Sequence, residues 1–143
     1  LGISKFEVIQ NNISEHEQKG VTLGIHAGPW EKFISMAHGR VLGVWVDFRK
    51  GPTFGKVETI ELSPEKAVFV PRGVGNGYQT LEPNTVYTYL VNEHWSPESK
   101  YTLVNLFDPE LGINWPIPKA EAIVSDKDAN HPPLSAITPM EFK

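Results

Sequence analysis

The sequence predicts an all-β domain, a sandwich or barrel built from short strands and frequent turns. Two observations carry this. Twelve glycines and twelve prolines punctuate the 143 residues at short intervals, and both residue types interrupt regular structure. The stretches between them are rich in Val, Thr, Ile and aromatic residues, and several alternate polar with apolar positions, the two-residue period of a half-buried strand. At this length the expectation is one domain, residues 1–143, with a sizeable core.

Taken in order, residues 5–10 alternate and then break at Asn11-Asn12, a strand running into a turn. Residues 13–19 are polar and read as a solvated connection, although Glu15-His16-Glu17 offers metal-binding residue types. Residues 20–26 form the next strand, ended by Gly28-Pro29. In residues 31–37 the alternation places Lys32, Ile34 and Met36 on one face. His38-Gly39 turns into residues 40–48, the strongest strand, with Leu42, Val44, Val46 and Phe48 on an apolar face. Its other face, Val41, Gly43, Trp45 and Asp47, suits the lining of a cavity.

Residues 56–62 and 67–71 give two further strands. Arg72-Gly-Val-Gly-Asn-Gly77 reads as a glycine-rich loop, and it lacks the lysine and hydroxyl residue that would make it a P-loop. Residues 78–81 and 85–92 read as a hairpin around Glu82-Pro-Asn84, with Thr85, Tyr87, Tyr89 and Val91 on a common face. Residues 101–107 make a last strand, and the proline-rich remainder reads as a tail over the surface with one helical turn.

Charge and composition exclude several functions. Thirteen basic and seventeen acidic residues, a net charge of −4, are interspersed. No basic stripe is available to a nucleic acid backbone. The absence of cysteine excludes a disulfide scaffold and a thiolate metal site. No apolar run reaches the roughly 18 residues of a membrane-spanning helix, and the first residues lack a signal-peptide pattern. The expectation is a cytoplasmic protein with no membrane partner.

The chemistry centres on His26, in Gly20-Val-Thr-Leu-Gly-Ile-His-Ala-Gly-Pro29. A histidine in an apolar strand, followed by small residues that leave space beside it, suits acid–base work. It equally suits a hydrogen-bonded core or rim histidine.

Several stretches together resemble the dTDP-4-dehydrorhamnose 3,5-epimerase family. They are Gln10-x-Asn12-x-Ser14, Gly24-Ile-His26, Lys32, Val44-x-Val-Asp-x-Arg49, Pro52-Thr-Phe-Gly55, Val70-Pro-Arg-Gly73 with Gly77-Tyr78, Asp108-Pro-x-Leu-Gly-Ile-x-Trp-Pro116 and Ser125-Asp-x-Asp128. Their order and spacing hold from about Gln10 to Asp128. The resemblance implies a cupin-like β-barrel or jelly roll with a proline-rich C-terminal tail. The implied reaction is epimerisation of a nucleotide-linked 4-keto-6-deoxy sugar by proton abstraction beside the ketone. It implies His26 as the base and Lys32 facing the enolate oxygen, and Gln10, Asn12, Asn76, Trp95 and Asn114 as substrate-pocket residues.

The chain departs from the family pattern at several positions. Trp95 stands where a tyrosine usually returns the proton, and Asn114 where an aspartate is expected to hold the histidine. Gly43, Asn76 and Leu23 replace an aspartate, a second histidine and an arginine. These departures motivate an alternative, a catalytically weakened sugar-nucleotide-binding or accessory module, partnered or fused with a dTDP-sugar reductase. The resemblance further implies a homodimer, and a family N-terminal segment that residues 1–143 are expected not to include. No cofactor is implied. A metal-dependent cupin would need two or more histidines and a carboxylate converging on one ion, whereas His26 has no histidine two residues away and His16, His38, His94 and His131 read as turn residues.

Overall fold

A computed structural model describes residues 5–142, which form two antiparallel sheets and little helix. The first four residues, part of the stretch without signal-peptide character, lie outside the described residues. The strands are β1 (Gln10–His16), β2 (Thr22–Ala27), β3 (Lys32–His38), β4 (Val41–Asp47), β5 (Val57–Leu62), β6 (Ala67–Val70), β7 (Val74–Thr80), β8 (Thr85–Val91) and β9 (Thr102–Leu103). One sheet has the order β1-β8-β3-β6 and the other β5-β4-β7-β2-β9. This jelly-roll-like arrangement agrees with the all-β, cupin-like expectation. No helix of the described residues is long and apolar enough to cross a membrane.

Two apolar clusters hold the sheets. The first lies between them and joins Ile34 and Met36 of β3, Val41 and Trp45 of β4, Tyr78 of β7 and Tyr87 of β8. The second lies against the outer face of the five-stranded sheet. There Ile25, Ala27, Val44, Val46 and Phe48 pack with Val104, Leu106 and Leu111 under Trp115, Leu134, Ile137 and Met140. Burying an aliphatic side chain contributes roughly 1.5–3 kcal/mol, so the proline-rich tail is the cover of a second core and not a loose wrap. It also carries α1 (Asp126–Ala129), the one helical turn expected there.

The structure differs from the sequence reading in five places, one of them the last strand: β9 is only Thr102–Leu103, not residues 101–107. The first strand is β1, running from Gln10 through His16, so Asn11-Asn12 is inside a strand and the supposed connection at 13–19 is largely strand too. Gln10, Asn12, Ser14 and His16 are its half-buried positions, so the polar face that suggested a solvated loop is turned toward the interior between the sheets. The glycine-rich stretch is mostly β7, whose small residues admit close neighbours: a Cβ on Gly77 would lie 2.6 Å from the Leu23 carbonyl oxygen. β7 and β8 do not pair as a hairpin. β7 lies between β4 and β2, β8 between β1 and β3, and the Glu82-Pro-Asn84 turn carries the chain from one sheet to the other. Finally, both faces of β4 are core. Trp45 occupies the space that a side chain on Gly43 would need, 2.4 Å from its Cβ position.

Candidate active site

A local irregularity in β2 aims the histidine. Leu23 pairs with Tyr78 and His26 with Asn76, so that two residues of β2, Gly24 and Ile25, stand against the single Gly77 of β7. The extra residue is a bulge, which bends a strand and re-aims its side chains. In a regular strand Leu23 and His26 would point to opposite faces. With the bulge both line one cavity between the sheets, while Ile25 and Ala27 point into the outer core. Gly24, within the bulge, has φ +115°, and a Cβ there would lie 2.6 Å from the Gly77 Cα. Only glycine fits this conformation and this approach.

His26 meets a carboxylate that comes from the far end of the chain. Its Nε2 lies 2.8 Å from Oδ1 of Asp128, and Oδ2 of Asp128 accepts the backbone N–H of Gly24 at 3.2 Å. Ser125 caps α1, its Oγ accepting the Asp128 N–H at 3.1 Å, so the short helix fixes where the carboxylate stands. His131, almost wholly buried, brings its own Nε2 to the same Oδ1 at 2.9 Å. Burial acts to raise the Asp128 pKa, but the hydrogen bonds from Gly24, His26 and His131 outweigh it and hold the group below the usual carboxylate range. An ionised carboxylate only accepts, so the Nε2 of each histidine carries a proton and Nδ1 of His26 keeps its lone pair. Burial also pushes the His26 pKa below its ordinary value, more than Asp128 raises it, which leaves the ring neutral and able to take a proton near pH 7.

Lys32, at the start of β3, projects into the same cavity. Its Nζ donates to Oδ1 of Asn76 at 2.8 Å and sits 5.8 Å from the centre of the Tyr89 ring. Burial lowers its pKa to about 8. The Asn76 side chain in turn donates from Nδ2 to the Tyr87 hydroxyl at 3.1 Å, and the Tyr87 ring stacks on Tyr78 at 4.0 Å. Tyr78 shares a 2.8 Å hydrogen bond with Nε2 of His16. This polar and aromatic wall surrounds an inner space of about 220 Å³. An outer space of about 660 Å³ shares His26, Lys32 and Tyr89 with it and opens past Gln10, Asn12 and Trp95.

The structure therefore gathers His26, Lys32, Gln10, Asn12, Asn76 and Trp95 around one cavity. Gln10 donates to Asn12 at 2.9 Å, and Trp95 stands at the rim, 63% exposed. Asn114 is the correction: it is exposed, lines neither space, and the group that holds His26 is Asp128. His131 is likewise not a detached turn residue, since its ring centre lies 5.4 Å from that of His26. Trp30, Tyr89, Tyr101 and Lys127 also line the cavity without having been singled out for it. The signal for Asp128 was present in Ser125-Asp-Lys-Asp128, a serine followed three residues later by an acid, the pattern of a capped helix start.

Comparisons with known proteins identify the family to which this sequence and fold are similar. The family model described as dTDP-4-dehydrorhamnose 3,5-epimerase matches residues 1–136. A protein from Streptococcus pyogenes named as an RmlC homolog is 49% identical over 138 residues, covering 94% of this chain and 69% of that one. A dTDP-4-dehydrorhamnose 3,5-epimerase from Sinorhizobium fredii is 35% identical, covering 95% and 72%. Among solved structures, RmlC from Streptococcus suis in complex with dTDP-D-xylose superposes with a TM-score of 0.86 at 48% identity, covering 92% of this chain and 68% of that one. Matched over nearly its whole length in sequence and in fold, the chain belongs to the dTDP-4-dehydrorhamnose 3,5-epimerase family.

Proposed function

We propose that this chain epimerises a dTDP-linked 4-keto-6-deoxy sugar at carbon next to the ketone. The observation that supports the reading most directly is the His26–Asp128 pair opening, together with Lys32, onto one cavity. Hydrogens beside a ketone are acidic only to the extent that the resulting enolate is stabilised, so the reaction needs a base and a donor at the carbonyl oxygen. Nδ1 of neutral His26 takes the proton. Asp128 holds the ring through Nε2 and offsets the charge of the imidazolium that forms. The Lys32 ammonium spends one donor on Asn76 and has two left for the enolate oxygen. Returning the proton to the opposite face inverts the carbon.

Trp95, at the rim, has an indole N–H that does not serve as a titrating acid. The donor for the opposite face is therefore another group or water. Gln10 and Asn12 offer amide donors and acceptors suited to a nucleobase or sugar at the outer space. The same reading includes a homodimer in the cytoplasm, which sedimentation of the intact protein would test, and a reductase as the partner that consumes the product. Incubation with dTDP-4-keto-6-deoxyglucose in deuterated water is the direct test. Deuterium at the carbon next to the ketone supports the proposal. Binding of the nucleotide sugar without exchange would favour the accessory-module alternative.

A further inference from the structure

We propose that His131 is a positioning residue of this proton-transfer site: by sharing Oδ1 of Asp128 with His26, it fixes the carboxylate and limits how strongly it draws a proton onto the base. The inference rests on the reading of His26 as that base. It comes from a redundancy in the hydrogen bonding. A carboxylate that only had to hold His26 would need one partner on that side, yet Oδ1 accepts from His26 at 2.8 Å and from His131 at 2.9 Å. The two rings stand nearly perpendicular, at 80°.

The backbone around His131 is held as firmly as its ring. Asn105 donates from its backbone N–H to the Pro132 carbonyl at 2.9 Å and from Nδ2 to the His131 carbonyl at 3.3 Å. His131 lines neither the inner nor the outer space, so it reaches the reaction only through Asp128. With three donors converging on it, the carboxylate cannot rotate away from His26. A donor added to an acceptor also disperses its charge. Removing His131 would leave more of the Asp128 charge for the His26 bond and make His26 easier to protonate.

The other titratable groups that line the cavity with His26 are Lys32 from β3, Tyr78 from β7, Tyr87 and Tyr89 from β8, Glu93 and Tyr101 from the segment that follows it, and Lys127 from α1. None of them accompanies His131, so a substitution there leaves them in place. The test is an NMR titration of the His26 imidazole in the wild type, His131→Leu and His131→Gln, the last retaining a donor near the Nε2 position. The expected result is a His26 midpoint higher by about one unit in His131→Leu and restored toward wild type in His131→Gln. The acid limb of the proton-exchange rate should move with it, making exchange on that side about tenfold slower, with KM nearly unchanged.

A folded His131→Leu protein whose His26 midpoint and acid limb match the wild type would overturn the proposal. Should that variant not fold, the ¹⁵N tautomer of wild-type His131 decides. Protonated Nε2 is required, and a lone pair at that nitrogen contradicts it. Because the imidazole titration needs no substrate, its failure is distinguishable from absence of epimerase activity.

Discussion

At the residue scale, the site depends on where protons sit near neutral pH. His26 is kept neutral by burial and Lys32 is kept charged only below about pH 8. The lowered lysine value has a consequence for stability. Because its folded pKa is below the unfolded value of 10.5, the folded state is penalised while the lysine is charged in both states. That penalty is complete below about pH 8 and is relieved as pH rises toward 10.5. Lys32→Met is therefore expected to abolish exchange yet raise thermal stability at pH 7, with the gain shrinking across that window. Scanning calorimetry at pH 7 and pH 10 checks it.

The partner of His26 gives a second comparison at the same scale. Asp128→Asn removes the charge opposite the imidazolium and should slow exchange by about 10²-fold or more. Asn114→Ala, at an exposed position, should leave the rate within about twofold. Steady-state kinetics on the pair separate the two assignments. Lys32 was legible because it stands in an alternating strand, and His26 because it is a lone histidine in an apolar strand bounded by glycines. Asp128 was assigned to the tail because 102 residues separate it from His26, and no local periodicity reports a contact over that distance.

At the element scale, the strands with clear alternation were the legible ones: β3, β4 and β8 fall within two residues of their expected bounds. β1 was misread because its inward face is polar, the case in which a cavity-lining strand looks like a loop. The false hairpin has a different origin. A turn signal such as Glu82-Pro-Asn84 marks where the chain reverses but not which sheet receives it. The bulge in β2 escaped notice too, since an extra residue is defined by its partner strand. Gly24→Ala tests that bulge. The side chain would meet the Gly77 backbone at a positive φ, with an expected cost of about 1–3 kcal/mol or more. The displaced Gly24 N–H would no longer orient Asp128, so the rate should fall along with the melting temperature.

At the scale of the whole molecule, the two cores divide the work. The cluster between the sheets sets the width of the cavity, and the outer cluster anchors the tail that delivers Asp128 and His131 to β2. The fold class was readable from composition and alternation because these report burial on sheet faces. The second core was not, since the prolines that mark irregular backbone conceal the apolar residues between them. Between the sheets, Trp45 packs against Gly43, and Asn76 donates to the Tyr87 hydroxyl beside the Tyr78–Tyr87 stack.

The central claim, that His26 removes a proton next to a ketone, meets its most direct test in deuterium wash-in followed by mass spectrometry on dTDP-4-keto-6-deoxyglucose. The wild type should incorporate deuterium well above buffer, and a folded His26→Ala variant should fall by about 10²–10⁴-fold, toward the buffer rate. Equal incorporation by the two proteins, or none above buffer by the wild type, would contradict it.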